Sequence, residues 1–149
     1  MVTSNKMSWE FLRQFDYNNP PRICLGRSCE VMEKYEIHKA ELSREQIDIN
    51  TYIDSKYFKG NDKKFSIDNN IFPYYCEDNV KHYIMWINLN IGVDNSLGEK
   101  YHQELRNYIC KNLFNGDESE MTDNCIYFQN IPEQRSVKCI PHLQIFVRK

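Results

Sequence analysis

Residues 124–149 read NCIYFQNIPEQRSVKCIPHLQIFVRK, and this stretch decides the fold class. Two short runs of aliphatic and aromatic residues, at 125–128 and 143–147, flank a polar segment that contains two prolines. Apolar runs of this length, bounded by Asn and Pro, predict two strands of one sheet. The polar side chains between and beside these runs that are suited to line a binding site are Asn130, Arg135 and His142.

The rest of the chain supplies further strands and several helices. Residues 80–89, VKHYIMWINL, are rich in β-forming residues and predict a central strand. Apolar residues at helical spacing predict a helix from about 97 to 114. Short polar connections favour an antiparallel sheet with helices packed mainly on one face, a two-layer α+β domain. The remaining predicted elements are a short helix at 9–15, a helix after Ser28, a helix from the SREQ capping box at 43–46 to residue 58, a strand at 64–67, turns at 60–62 and 68–70, and loops at 71–75, 92–96 and 116–123.

Composition limits the classes of function. The chain has 149 residues, of which 41% are hydrophobic and 13% aromatic, so it can bury a core as a single domain. A net charge of -2 argues against a protein that binds nucleic acid in bulk, because such proteins are usually basic. Recognition of a single nucleotide or an RNA end is still compatible with this charge, because stacking requires little net charge. High Asn, Ile, Lys and Tyr usage is typical of AT-rich coding genomes, such as those of many protists and large DNA viruses.

The six cysteines lack CxxC spacing, so we expect no metal and no cofactor. The N-terminal residues MVTSNKMSWE lack the apolar segment of a signal peptide. We therefore expect free thiols in a reducing compartment and a cytoplasmic location. No apolar run approaches the ~20 residues of a membrane span, so we expect no membrane association.

Three blocks in order resemble an uncharacterised family whose named fungal members are the N-acetylglucosamine-induced proteins. The blocks are LGRS at 25–28 with Met32, Lys34 and Tyr35; FPY at 72–74 with Val80, His82 and Trp86; and FQN at 128–130 with RSV at 135–137, PH at 141–142 and IFV at 145–147. The resemblance divides the domain of residues 1–149 into an N-terminal extension, 1–24, and a family-like core, 25–149. It implies a shared fold and a shared pocket, but no reaction. Members often carry a second His after Pro-His, whereas this chain has Gln144.

The predicted strand over residues 80–89 carries the first candidate site. Residues two apart on a strand share a face, so His82, Ile84 and Trp86 point the same way. Trp86 could stack on a planar ligand while His82 donates or accepts a hydrogen bond. The alternative is structural: Ile84 and Trp86 pack beneath a helix, and His82 caps the strand edge.

The final strand carries the second candidate site. His142 and Gln144 share a face opposite Leu143 and should face solvent or a cleft. Arg135 in the connecting segment could bind an anionic group in a bidentate manner, or could bond loop carbonyls as a structural residue.

The third candidate is the Gly26-Arg27-Ser28 stretch at a helix start. Exposed backbone N–H groups, a Ser cap and Arg27 suit an anion. The alternative is that Ser28 is an ordinary N-cap.

Together these residues predict a small soluble binding or regulatory domain. Its ligand would be anionic and nucleotide-like: a nucleotide, a capped RNA end or a sugar phosphate. The cleft would be lined by His82, Trp86, Asn130, Arg135, His142 and Arg27.

Two other functions fit the same residues. One is a metal-independent phosphoesterase or transferase that uses His82 and His142 as acid and base. Such enzymes usually place Thr or Ser two residues after each His, where this chain has Ile84 and Gln144. The other is a protein–protein adaptor with exposed tyrosines at its interface.

Overall fold

The computed structural model describes residues 1–59, 63–88 and 97–149. In chain order the elements are the helices α1 (Trp9–Leu12), α2 (Cys29–Arg44) and α3 (Ile49–Tyr57), the strands β1 (Phe65–Asn69) and β2 (Val80–Ile87), the helices α4 (Gly98–Leu113) and α5 (Glu118–Asn124), the strand β3 (Cys125–Phe128), a 3-10 turn (Pro132–Gln134) and the strand β4 (His142–Arg148).

The four strands form one antiparallel sheet in the order β1-β2-β4-β3. The α+β class, the antiparallel sheet and the central position of the strand that begins at Val80 are therefore confirmed. In the central pair, Trp86 lies opposite His142 and Tyr83 lies opposite Ile145. This register aligns the two faces of β2 with the corresponding faces of β4.

One face of the sheet is apolar and packs against α4 and α5. Met85, Ile87, Leu143 and Ile145 are fully buried there, together with Ile109 of α4. The spacing of Leu105, Ile109 and Cys110 explains this packing, because residues three to four apart lie on one side of a helix.

The opposite face is mixed and is covered by α1, α3 and loops. Near β3, Trp9 and Leu12 of α1 pack with Phe128 and Phe146. The other end of this face packs Ile84 and Trp86 of β2 against α3 and the 137–140 segment, which confirms that Trp86 lies beneath a helix. The sequence predicted helices mainly on one face of the sheet, whereas in the structure helices cover both faces.

The N-terminal segment is integrated with the rest of the fold. Leu12 is fully buried, and the Met7 amide donates to the Tyr75 carbonyl at 2.7 Å. A Cβ at Gly26 would lie 2.7 Å from Thr3 Cγ2, so the segment passes close over the start of α2. Residues 1–24, set apart as an extension by the sequence, therefore contribute directly to the core.

Helix caps account for where α2 and α3 begin. Ser28 Oγ accepts from the Val31 amide at 3.2 Å, as expected for an N-cap. The capping box predicted at 43–46 is wrong, because α2 continues to Arg44 and Gln46 has a positive φ of 57°. Asp48 caps α3 instead, by accepting from the Thr51 amide at 3.1 Å.

Two other local predictions are wrong. The turn predicted at 68–70 is replaced by the end of β1, where Asp68 pairs with Ile84 and Asn69 with Tyr83. The loop predicted at 116–123 contains α5, which Asp117 caps by accepting from the Glu120 amide at 3.0 Å. The turn expected at 60–62, the loop expected at 92–96 and residue Leu89 of the expected strand lie outside the described residues.

Truncating the centre of the apolar face should destabilise the fold. Ile109→Ala removes a fully buried side chain between α4 and the sheet, so we expect the free energy of unfolding to fall by about 2–5 kcal/mol. Urea denaturation followed by circular dichroism measures this. The control is Lys111→Ala, an exposed position on the same helix, for which we expect a change within about 0.5 kcal/mol. Equal effects of the two variants would contradict the packing described here.

Candidate ligand-binding site

A cavity of about 400 Å³ opens on the mixed face of the sheet. It lies between the C-terminal half of α2, helix α3 and the β1-β2-β4 surface, and the segments 69–72 and 136–137 complete its walls. Pockets of this size are typical of sites for small molecules and cofactors. The cavity therefore brings together elements that are far apart in sequence.

Aromatic side chains form much of the cavity wall. Tyr35 and Phe72 meet edge to face with ring centroids 5.1 Å apart, and His38 meets Tyr52 similarly at 5.4 Å. Tyr35, Tyr52 and Phe72 are only partly buried, so they have surface available for contact with a ligand. The aromatic residues of the wall are Tyr35, His38, Tyr52, Tyr57, Phe72 and Trp86.

Basic side chains outnumber acidic ones along the described cavity lining. Arg27, Lys39 and Lys56 line it, whereas Asp48 is the single carboxylate among the described lining residues. Lys39 pairs with Glu36 on the surface of α2 at 3.4 Å. Among the described residues, neither Arg27 nor Lys56 makes an ion pair. The cavity thus has two cations without a carboxylate partner.

The position of Arg27 is fixed by its neighbours. Its Nε donates to the Phe72 carbonyl at 2.7 Å. Its guanidinium carbon lies 4.7 Å from the Tyr35 ring centroid and 5.0 Å from that of Tyr74, within the range of cation–π contacts. The terminal Nη groups have no carboxylate partner among the described residues, so they are available to an anion in the cavity.

His142 provides a hydrogen-bond acceptor at the cavity floor. Its Nδ1 lies 2.9 Å from the Ile140 carbonyl, which can only accept, so Nδ1 carries the proton and Nε2 has a free lone pair. Burial lowers the pKa of His142 to about 4; the Ile140 carbonyl opposes this shift, and the positive charge of Arg135 adds to it. The imidazole is therefore neutral at pH 7.

His82 lies behind the cavity floor with both ring nitrogens engaged. Its Nδ1 accepts from the Tyr74 amide at 3.0 Å, so its proton is on Nε2, which donates to Gln144 Oε1 at 2.6 Å. Burial lowers the pKa of His82 to about 3, against the effect of the Gln144 hydrogen bond, while the charge of Arg27 lowers it further. His82 is thus a neutral residue that orients Gln144.

Trp86 is largely covered. It is 5% exposed, lies against Tyr57 with ring centroids 5.9 Å apart, and lies 4.7 Å from the His142 ring. Its buried Nε1–H meets no acceptor at hydrogen-bond geometry, although it is close enough to the Tyr57 hydroxyl to lower the pKa of that group. Burial is the larger influence on Tyr57 and raises its pKa overall.

Asn130 and Arg135 support the site from outside the cavity lining. The Asn130 side chain is buried and donates to the Tyr74 hydroxyl at 2.9 Å. Arg135 Nε donates to the Asn130 carbonyl at 2.7 Å, which is the structural alternative considered for this residue. Both residues thereby hold the Tyr74 segment, whose amide in turn fixes His82.

The structure brings the six predicted site residues to one face of the sheet in two groups. Arg27, Trp86 and His142 line the cavity. The other three, which lie behind it and support it, are His82, Asn130 and Arg135.

Sequence reasoning missed the helical part of the cavity wall. Tyr35, His38 and Lys39 follow each other on one side of α2, and Tyr52 and Lys56 do so on α3. The available signal was the coincidence of aromatic and basic residues at spacings of three and four on two successive helices. None of these side chains was among the predicted site residues.

Comparison with known proteins identifies a family without assigning a reaction. A family model described as "Protein of unknown function (DUF3605)" matches residues 8–148. The chain belongs to this family. The match begins within the N-terminal segment that carries the buried Leu12.

The fold is also found in a solved structure. The crystal structure of HTC1 is similar, with a TM-score of 0.60 and 21% sequence identity over 84% of this chain and 76% of that chain. At this identity the likeness shows a shared fold. No curated protein matches the chain significantly.

The described residues contain neither a membrane-spanning helix nor a cluster of metal-ligating side chains. Within 1–59, 63–88 and 97–149, no helix is both long and apolar enough to cross a lipid bilayer. In the same ranges, His, Cys, Asp and Glu side chains do not gather in threes at positions that could hold a metal ion.

Acid should destabilise the fold through its two buried histidines. An unfolded histidine titrates near pH 6.5, whereas the folded values are about 3 for His82 and about 4 for His142. Between these values the unfolded chain binds protons that the folded chain does not, so stability is complete above about pH 6.5 and falls as the pH decreases. Each histidine should contribute about 1.4 kcal/mol per pH unit within this window.

Urea unfolding between about pH 7 and pH 5 measures this dependence. His142→Gln should reduce the slope of unfolding free energy against pH, because one of the two linked protons is lost. The matched control is Lys111→Gln, an exposed position on α4 that carries no imidazole, which should retain the wild-type slope. If His142→Gln and the wild type had the same slope, the description of His142 as neutral and buried would be wrong.

Proposed function

We propose that this protein is a small binding or regulatory domain that recognises an anionic ligand. A nucleotide, a capped RNA end and a sugar phosphate are the ligand classes that fit. The observation that carries the proposal is the combination, in one cavity, of partly exposed aromatic rings with the cations Arg27 and Lys56.

The distribution of charge supports a small anionic ligand. The whole chain has a net charge of -2, yet the described cavity lining has three basic side chains and one acidic side chain. A concave site lined by one sign of charge focuses its field on ligands of the opposite sign. Because the chain as a whole is slightly acidic while the described cavity lining is basic, the proposal is one small anion and not a long nucleic acid.

The aromatic walls support a planar ligand group. Tyr52 and Phe72 are partly exposed at the cavity, whereas Trp86 is covered by neighbouring rings. Stacking by the ligand is therefore assigned to the helical and loop aromatics, and Trp86 is assigned the role of packing beneath them. This differs from the stacking role that the sequence suggested for Trp86.

The two-histidine enzyme is less well supported by the geometry. His82 uses both ring nitrogens within the fold and does not belong to the described lining of this cavity. A general acid or base must reach the proton that it transfers. Only His142 meets that requirement here, because its Nε2 has no partner among the described residues and the residue lines the cavity.

A protein partner is a second candidate, supported by the cavity rim. Ile47 and Ile71 border the cavity and are 38% and 56% exposed. Contiguous exposed apolar patches beside a pocket mark surfaces that contact another chain, and Ile47 and Ile71 would be part of such a patch in this candidate function. An adaptor function would use this rim and would not require a small molecule in the cavity.

The cellular setting is also part of the proposal. All six cysteines are unpaired, which supports a reducing compartment such as the cytoplasm. The link to the fungal N-acetylglucosamine-induced proteins is a hypothesis that rests on the sequence blocks described above.

Ligand binding should depend on the cavity cations. We expect a thermal-shift panel of AMP, GMP, CMP, UMP, a 7-methylguanosine cap analogue and glucose 6-phosphate to contain at least one compound that raises the melting temperature. The shift should be weaker for the corresponding uncharged nucleoside or sugar, and weaker at high salt, because screening reduces charge attraction.

Matched lysine variants make this test specific. Lys56→Gln and Arg27→Gln should each weaken the affinity for the active compound about tenfold, which corresponds to about 1.4 kcal/mol. The control is Lys111→Gln, an exposed lysine on α4 outside the described cavity lining, which should bind as the wild type does. If no compound bound, or if Lys111→Gln weakened binding as much as Lys56→Gln, the proposed site would be wrong.

A further inference from the structure

Two buried polar side chains of β4 each leave one nitrogen without a protein partner. His142 and Gln144 are both 4% exposed, and both line the cavity. His142 Nε2 has no donor, and Gln144 Nε2 has no acceptor, among the described residues. Each of these two nitrogens is open to the cavity and has no protein partner, so a ligand in the cavity can supply the hydrogen-bond partners.

The hydrogen-bonding roles of these two nitrogens are fixed by the fold. The Ile140 carbonyl holds the proton of His142 on Nδ1, so Nε2 can only accept. The His82 Nε2–H binds Gln144 Oε1, which directs the amide so that its NH2 group is the free donor. The Tyr74 amide prevents His82 from adopting the other tautomer. The cavity floor thus presents one acceptor and one donor that cannot exchange roles.

The donor and the acceptor can reach one ring-sized ligand. His142 and Gln144 are two residues apart on the same face of β4, a separation of about 6.6–6.8 Å along the strand. The rings of Tyr52 and Phe72 stand in the walls around them. A planar group between such walls would present its edge to the floor.

We infer that His142 and Gln144 read the edge of a nucleobase, that the ligand is a nucleoside phosphate, and that His82 is a positioning residue for Gln144. This inference rests on the proposed function and selects one of its ligand classes. A nucleobase has donors and acceptors in fixed places along its edge. A sugar hydroxyl can donate to the acceptor or accept from the donor, so fixed roles do not discriminate among sugars, whereas they do discriminate among base edges.

The chemistry of the floor also predicts the order of ligand affinities. A ligand with the base attached can pair with both cavity-facing nitrogens, whereas an abasic sugar phosphate lacks the base edge that would meet them. Sites that hydrogen-bond a polar group discriminate strongly against analogues that lack it, because the groups of the site then stay unsatisfied. The phosphate contacts of Arg27 and Lys56 would be the same for both ligands.

Isothermal titration calorimetry with base-bearing and abasic probes tests the inference. The probes are AMP, CMP, GMP and UMP, compared with ribose 5-phosphate. We expect at least one mononucleotide to bind at least tenfold more tightly than ribose 5-phosphate. Gln144→Leu and His142→Phe should remove most of this ratio while leaving the affinity for ribose 5-phosphate unchanged.

His82 variants separate positioning from simple support of the fold. His82→Leu removes the 2.6 Å hydrogen bond to Gln144 Oε1 and leaves the longer one from Asn70 Nδ2 at 3.5 Å. It should lower the mononucleotide affinity about fivefold to tenfold, but not that for ribose 5-phosphate. His82→Gln retains a side-chain N–H and should restore part of the loss. Equal weakening of both probes by His82→Leu, with no recovery in His82→Gln, would overturn the positioning role.

The two levels of the proposal fail in different ways. If ribose 5-phosphate bound as tightly as every mononucleotide, His142 and Gln144 would not recognise a base. The proposed binding of an anion in the cavity would still be supported. If none of the five probes bound, this inference would be wrong, and if the cap analogue and glucose 6-phosphate also failed to bind, the proposed function would be wrong as well.

A spectroscopic measurement on the wild type tests the inference without any substitution, so it applies even if the variants do not fold. The ¹⁵N resonance of His142 Nε2 should shift when AMP or another bound mononucleotide donates to it, and should not shift with ribose 5-phosphate. An unchanged resonance in the presence of a bound mononucleotide would overturn the inference.

Discussion

The pairing of β2 with β4 is the constraint on which the rest of the structure depends. Its register places Met85 beside Leu143 on one face and Trp86 beside His142 on the other. Because side chains alternate along a strand, a slip of one residue would turn His82 and His142 into the apolar layer beneath α4. The same pairing therefore defines both the core and the candidate site, and the apolar face determines which register is stable.

The mixed face is stabilised by hydrogen bonds that come from outside the sheet. Buried polar side chains cost free energy unless they are paired. Here the pairing runs from Arg135 to Asn130, from Asn130 to the Tyr74 hydroxyl, and from the Tyr74 amide through His82 to Gln144. This chain of contacts ends at an amide that faces the cavity. The hydrogen bonds from Arg135 to Gln144 thus form one connected series that leaves the Gln144 nitrogen facing the cavity.

The sequence was sufficient to predict those features of the structure that depend on a local pattern of residues. The alternation of His82, Ile84 and Trp86 predicted which side chains share a face, and Ser28 was correctly identified as an N-cap. It was misleading where two local signals compete. The SREQ box offers a helix start at Ser43, but Asp48 supplies the cap that is used. The polar residues Asp68 and Asn69 suggest a turn, yet an edge strand tolerates them because one of its sides is not paired within the sheet.

The candidate site was predictable only in part, because most of its wall depends on contacts between distant segments. Trp86 and His142 were found through strand alternation, and Arg27 through its place at a helix start. Nothing local indicates that α2 and α3 turn their aromatic and basic residues towards β4. Nor could the sequence show that His82 would hold a glutamine while His142 lines the cavity, since that depends on which loop atom meets each imidazole.

Gln144 determines whether the polar pair on β4 can transfer protons or can only form hydrogen bonds. In the related pattern a second histidine often follows Pro-His, and an imidazole there could exchange protons and roles with its neighbours. Gln144 does not titrate, and its oxygen is already bound by the His82 Nε2–H. The residue pair on β4 therefore combines one neutral acceptor with one fixed donor. Such a pair is poorly suited to proton transfer by two groups, but well suited to recognising a ligand whose own donors and acceptors do not change. The role proposed for this face of the sheet is therefore recognition of a ligand.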